Sequence, residues 1–201
     1  MASNNFYNLF DCPVWMHDHA GIEQDKLKEH ILSVQKNDPK GRTVSNVEGW
    51  QSGFQNLQSP ELQQFFQQVL VDLNYYYEEL DGNTNKYEVM ITDVWFNING
   101  KNTYNRPHVH TGYLSLVYYV EATEDSGDIV FHHPAEHQQV HWQSDWFKSN
   151  RVSANSGNWR MIPRTNRCYI FPNWLVHSVN MNTTNNTRIS IALNTTLSLK
   201  S

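Results

Sequence analysis

A layer of helices followed by an antiparallel β-sandwich or barrel is the fold class this sequence predicts. Three observations predict it. Residues 20–82 carry apolar side chains at helical spacing, short β-rich runs begin at Lys86, and turns rich in Asn, Gly, Asp and Pro separate those runs. With 201 residues the chain is long enough for one domain with a substantial core, the helical layer over about 20–82 and the sandwich over about 86–199.

The first helix is expected over "IEQDKLKEHILSV" (22–34), where Ile22, Leu27, Ile31 and Val34 recur at helical intervals before the turn chemistry of "DPKG" (38–41). The second starts with Ser59 as N-cap and Pro60 at the first helical position. Leu62, Phe65, Phe66, Val69, Leu70, Leu73, Tyr76, Tyr77 and Leu80 then give it one face that must bury, and "DGN" (81–83) ends it. Five β-rich runs follow: "KYEVMITDVWFNI", "YLSLVYYVEA", "GDIVFHHP", "RCYIFPNWLVHSV" and "RISIALNTTLSL". Between the third and fourth lies a polar stretch, 134–163, with Trp142, Trp146 and Trp159. A connection that long inside a compact fold is often functional, and here it would cap a pocket.

Composition excludes several classes of partner. Aromatic residues make up 13% of the chain and charged residues only 17%, which favours a packed globule over disorder. The formal net charge is −5 with no Lys/Arg block, so there is no electrostatic footprint for nucleic acid or an anionic membrane. The start "MASNNFYNLF" lacks the pattern of a signal peptide, and no apolar run reaches membrane-spanning length, so a soluble cytoplasmic protein is expected. Cys12 and Cys168 make no disulfide framework and fit a reducing compartment. Exposed sheet edges would allow a homodimer, although no residue marks the surface.

The chemistry-bearing residues cluster in the β-rich part. In "NRPHVHTGYLSLVYYV", His108 and His110 are two apart, and on a strand such neighbours share a face, about 6–7 Å apart, which suits a metal. Taken alone, the pair is more often two polar residues entering a sheet. Further on, His177 is expected late in the strand of "YIFPNWLVHSV", and "TRISIALN" puts Arg188 and Ser190 on one face of the final strand. An inward guanidinium is costly unless it meets an anion, and its fork matches a carboxylate. The bland alternative is an Arg on the solvent face of an edge strand. A metal together with a carboxylate-binding Arg would suit a cosubstrate with a carboxylate remote from its chelating end, as in 2-oxoglutarate.

The run "HVH…YLSLVYYV…SGDIVFHHP…YIFPNWLVHSV…TRISIALN" resembles the Fe(II)- and 2-oxoglutarate-dependent dioxygenase superfamily, most closely a branch of marine bacteria and phages related to prolyl hydroxylases. The resemblance spans roughly 45–197, since "SNVEGWQS" (45–52) also looks like that branch. It implies a double-stranded β-helix, a jelly roll with helices packed on one sheet. It also implies Fe(II) on His108 and His177, 2-oxoglutarate with its distal carboxylate on Arg188 assisted by Ser190 and Tyr119, and O₂ as co-reactant. The outcome would be oxidation, most often hydroxylation, of a small-molecule or protein side-chain substrate that the sequence does not identify.

One position departs from the family pattern. Where the superfamily usually has a carboxylate two residues after the first histidine, this chain has His110, which makes the implied metal and catalytic set His108, His110 and His177. Three neutral ligands balance Fe²⁺ against dianionic 2-oxoglutarate, and three positions stay open for the chelate and O₂. Asp128 in "SGDIVF" is the alternative third ligand. Other histidines have blander readings: His132 and His133 as hydrogen-bonded residues at a strand end, His17 and His19 in an N-terminal loop without strand context, and His137/His141 as a pair only if helical. Trp95 and Trp174 read as core aromatics, and Asn97 shares a face with Trp95. Of Tyr118 and Tyr119, which point opposite ways, Tyr119 is favoured by analogy with prolyl hydroxylases. Two competitors stand beside this reading: a cupin-like metal enzyme that does not use 2-oxoglutarate, and a non-catalytic β-sandwich binding module.

Overall fold

Two antiparallel sheets face each other, and two helices cover the outside of the larger one, in a computed structural model that describes residues 11–135 and 156–200. In chain order the elements are β1 (Trp15–Asp18), α1 (Gln24–Asn37), β2 (Asn46–Val47), β3 (Trp50–Gln51), α2 (Pro60–Glu79), β4 (Tyr87–Asn99), β5 (Tyr104–His108), β6 (Leu114–Glu121), β7 (Ile129–His132), β8 (Asn158–Met161), β9 (Arg167–Pro172), β10 (His177–Val179) and β11 (Arg188–Leu199). The larger sheet has the order β1-β9-β6-β11-β4-β3 and the smaller β2-β5-β10-β7-β8. This is the jelly-roll arrangement, with helices packed on one sheet.

The larger sheet is buried on both faces, and strand parity divides its side chains. On β11, Ile189, Ile191 and Leu193 join the core beneath the helices, whereas Arg188, Ser190 and Ala192 turn to the space between the sheets. On β6, Leu116, Tyr118 and Val120 face the helices and Val117 and Tyr119 face inward. From α2, Leu62, Phe65, Val69 and Leu73 complete the outer core, each such side chain contributing about 1.5–3 kcal/mol by its burial. A smaller inner core of Tyr119, Ile129, Phe131, Tyr169, Phe171 and Leu175 joins the two sheets at one end and leaves a cavity at the other.

Several local expectations are corrected. The hydroxyl of Ser59 does not cap a backbone N–H of α2 but donates to the Glu61 carboxylate at 2.5 Å; Pro60 does begin the helix. The run "RCYIFPNWLVHSV" is two strands, one in each sheet, because residues 173–176 turn the chain from β9 to β10. His177 is therefore the first residue of its strand, not a late one. "SNVEGWQS" folds into a tight hairpin, turned through Glu48 at φ 59°, that puts β2 in the smaller sheet and β3 in the larger. Strands β1, β2, β3, β5 and β8 had no clear period-two signal, being short or polar. Trp174 is 52% exposed rather than a core residue. Of the polar stretch 134–163, Trp142, Trp146 and the His137/His141 pair lie outside the described residues, and Trp159 sits on β8. No disulfide joins Cys12 to Cys168. Among the described residues no helix is long and apolar enough to cross a membrane.

Candidate active site

The cavity between the sheets measures about 330 Å³ and is lined by His108, His110 and His177 as well as by Arg188, Ser190 and Tyr119. Six residues scattered over eighty positions of sequence thus meet in one space. The larger sheet supplies Tyr119, Arg188 and Ser190, with Ser190 the register partner of Tyr119. The smaller sheet supplies His108 and His177, which are register partners on β5 and β10.

A bulge brings this about. From His177 to Val179 on β10 is two residues, but their partners on β5, His108 and Asn105, are three apart. Pro107, which has no N–H to offer a ladder, falls within the irregular stretch, as proline in a sheet usually does. His110 lies beyond β5, so the strand geometry expected for the 108/110 pair does not hold. Its backbone is clasped instead: the His110 N–H donates to the Asn173 carbonyl at 2.9 Å, and the Asn173 side-chain amide donates back to the His110 carbonyl at 3.1 Å. The turn that splits the "YIFPNWLVHSV" run is therefore what seats the third imidazole.

The three rings converge through Nε2. The Nδ1 of His108 lies 2.7 Å from the Arg106 carbonyl, and that of His177 lies 2.9 Å from the Leu175 carbonyl, so each Nδ1 carries the proton and each Nε2 presents a lone pair inward. His110 Nε2 stands 3.2 Å from His177 Nε2, close to the ~3 Å between neighbouring ligands of a metal held at ~2.1 Å. One ligand atom from each ring lies within 4.8 Å of the others. Burial pushes the imidazolium form out: His110 is lowered to about 4 and His177 to about 3, by desolvation first and then by the neighbouring imidazoles. Three neutral imidazoles, lone pairs together and walled by Trp95 and Phe171, form a donor set that fits a divalent cation. Trp95 is a buried aromatic as expected, and it also lines the cavity, its ring 5.3 Å from that of His110.

At the other part of the cavity Arg188 is 2% exposed. Its Nη1 donates to the Ser126 and Gly127 carbonyls, the latter at 2.8 Å, while its Nη2 is buried without a hydrogen-bond partner among the described residues. A buried, unpaired guanidinium nitrogen on a cavity-lining side chain is costly by itself, and an incoming carboxylate would satisfy it. Burial lowers the Arg188 pKa, opposed by Tyr119 and Asp128. The Tyr119 phenol is pushed well up by its own burial, so it stays protonated and able to donate.

Other expected candidates fall elsewhere. Asp128 is not in the three-histidine cluster among the described residues; its carbonyl accepts the Asn180 N–H at 2.8 Å, as a turn residue before β7. His132 Nε2 lies 3.0 Å from the Ser178 hydroxyl, and His133 Nδ1 accepts from the Ala135 N–H. Tyr118 faces the helices. His17, expected in a loop, lies on β1, and with His19 it approaches Asp72 of α2 on the far side of the larger sheet. Missed by sequence reasoning were Ser45, whose hydroxyl is 3.5 Å from His108 Nε2, and Arg42, Gln51 and Phe54 at the cavity wall. They come from the hairpin, which has no periodicity; its lone signal was the "SNVEGWQS" likeness.

A family model described as "Putative 2OG-Fe(II) oxygenase" matches residues 93–194. No curated protein matches the sequence. Among solved structures, a prolyl-4-hydroxylase of Pseudomonas putida is similar at 11% identity, over 90% of this chain and 91% of that one, with a TM-score of 0.59. A Trichoplax adhaerens prolyl hydroxylase, in complex with a hypoxia inducible factor oxygen degradation domain peptide fragment, is similar at 12% identity, over 91% and 83%, with a TM-score of 0.61. The viral collagen prolyl hydroxylase of Paramecium bursaria Chlorella virus-1, in its 2OG complex, is similar at 14% identity, over 90% and 94%, with a TM-score of 0.55. At these identities the likeness is one of fold.

Proposed function

The chain belongs to the 2OG-Fe(II) oxygenase family, and from that premise we propose that His108, His110 and His177 hold the iron and that Arg188 binds the distal carboxylate of 2-oxoglutarate. The observation that carries this reading is the pairing, in one cavity, of three inward Nε2 atoms with a buried and unsatisfied Arg188 Nη2. A cupin-like enzyme without 2-oxoglutarate would leave that nitrogen unexplained, and a non-catalytic module would have no use for three converging lone pairs.

When bound, iron with 2-oxoglutarate and O₂ supplies oxidative decarboxylation, yielding succinate and CO₂ and the oxidising power to attack an unactivated C–H bond. The chain's own part is placement. The Arg106 and Leu175 carbonyls hold the His108 and His177 rings with Nε2 inward, and the Asn173 clasp holds His110. Arg188, anchored through Nη1, presents Nη2 to the cosubstrate carboxylate, with the Ser190 hydroxyl and Tyr119 phenol alongside as donors. Trp95 and Phe171 keep water from the imidazole side. The substrate enters past Arg42, Val44, Phe54 and Val109, and hydroxylation of a small molecule or a protein side chain is the reaction we assign.

The test is anaerobic reconstitution with Fe(II) followed by 2-oxoglutarate, watching the weak visible charge-transfer absorption of the chelate. Wild type should develop the band, and Arg188→Ala should need much more 2-oxoglutarate to do so. Iron binding without any band would overturn the cosubstrate assignment, and no iron binding would overturn the ligand set.

A further inference from the structure

A second group of ligating side chains gathers on the opposite, helix-covered face of the larger sheet. Strand β1 runs antiparallel to β9, and His17 is the register partner of Cys168, a member of the core under the helices. Two residues on, the His19 N–H donates to the Asn166 carbonyl at 2.9 Å, which keeps the chain against the sheet edge. From the other side, α2 delivers Asp72, on a helix face that otherwise buries Val69, Leu73 and Tyr76.

The contacts are short and convergent. His17 Nδ1 lies 2.9 Å from both Asp72 carboxylate oxygens, and His19 Nε2 lies 2.9 Å from Oδ2. Cys168 Sγ is 3.6 Å from the same Oδ2 and 3.6 Å from His19 Nε2. His19 and Asp72 are each 5% exposed and Cys168 is fully buried, whereas the His17 side chain is 45% exposed and opens the group outward.

As a hydrogen-bond network this group is over-subscribed. A carboxylate oxygen has two lone-pair sites, yet Asp72 Oδ2 is approached by two imidazole nitrogens and a thiol. A carboxylate in the apolar layer of a helix is costly unless its charge is met. The two imidazoles reach it through different ring nitrogens, Nδ1 of His17 and Nε2 of His19, the arrangement of a chelate folded back from one strand. Ligand atoms around a tetrahedral ion at ~2.0–2.1 Å stand about 3.4 Å apart, so a few tenths of an ångström of opening would admit one.

We propose that His17 Nδ1, His19 Nε2 and Asp72 Oδ2 form a second divalent-metal site, zinc-binding in class, which ties β1 to α2 on the far side of the sheet from the oxygenase cavity. Two imidazoles and one carboxylate are a ligand set that zinc accepts with a water in the fourth position, and the exposed side of His17 is where that water and the incoming ion have access. Cys168 closes the buried side. The site stands apart from the cavity, so its work is to fasten the first strand and the second helix to the sheet. It does not depend on the oxygenase reading.

The experiment uses the full chain, stripped with chelator and dialysed, then loaded with Zn²⁺, with bound zinc counted and thermal unfolding followed. Four proteins are compared: wild type, His17→Ala, His177→Ala, and the double variant. The His17 side chain is nearly half exposed, so its truncation leaves no cavity in the core. Wild type should hold two zinc ions per chain, each single variant one and the double variant none, with zinc raising the Tm of His177→Ala but not of the double variant. A zinc content of His17→Ala equal to that of wild type, or no zinc on His177→Ala, would overturn the second site. One zinc on wild type that vanishes in His17→Ala would uphold it and sink the three-histidine site instead.

Discussion

His177, the first residue of β10, is the register partner of His108, the last residue of β5, and a bulge in β5 directly beside them turns both rings into one cavity. Removing either ring should dismantle the donor set. His177→Ala is expected to lose Fe(II) binding by 100-fold or more, roughly the upper end of what single ligand or supporting-residue changes cost at metal sites. Iron content after anaerobic loading, measured in the His17→Ala background so that only the cavity is counted, checks this; retention of iron at wild-type affinity would refute the ligand role.

Arg188→Ala removes a charge-assisted pair worth about 1.5–3 kcal/mol. The apparent affinity for 2-oxoglutarate should therefore fall on the order of 10- to 150-fold, with Fe(II) binding unchanged. Arg188→Lys should rescue only part of it, since one ammonium cannot bond the Ser126 and Gly127 carbonyls and still present a second nitrogen. Titration of the visible band with 2-oxoglutarate reads both variants.

Gly127 sits at φ 101°, and a Cβ there would lie 2.3 Å from the Asn180 carbonyl oxygen and 2.7 Å from Arg188 Nη1. Gly127→Ala should cost about 1–3 kcal/mol through backbone strain alone. Its Tm should drop by several degrees, and its demand for 2-oxoglutarate should rise because the anchor of Arg188 is displaced. A variant with lowered Tm and unaltered 2-oxoglutarate binding would separate the two effects.

Asn173→Ala takes away the side-chain amide that holds the His110 carbonyl but leaves the backbone clasp. Fe(II) affinity should weaken by about 10-fold, the lower end of what supporting residues contribute. Binding of 2-oxoglutarate to the iron that remains should be normal, which distinguishes a positioning role from general unfolding.

Leu73→Ala opens the core between α2 and the larger sheet, where Leu73 is 0% exposed. The expected loss is about 2–5 kcal/mol in unfolding free energy, measured by denaturant titration, with the iron and 2-oxoglutarate stoichiometries intact. A change at the cavity would mean that the helices shape it and do not merely cover the sheet.

The long, strongly patterned elements were legible in the sequence: α2 by its apolar face, and β4, β6 and β11 by runs that a doubly covered sheet requires. So was the inward alternation of Arg188 and Ser190, because parity on one uninterrupted strand follows from local geometry alone. What local geometry could not supply was decided by tertiary structure. His110 joins its partners through a hydrogen-bonded clasp to Asn173, sixty-three residues away, and not through strand parity. The chain crosses from one sheet to the other at residues 173–176, inside what reads as a single apolar run, because burial makes both flanks equally hydrophobic. Asp72 lies near His17 and His19 only because α2 packs across β1, and neither the helical pattern of one nor the short strand of the other contains that information. Periodicity reports which face of an element is buried; which elements then meet is set by non-local pairing, and both clusters proposed here to hold a metal lie at such meetings.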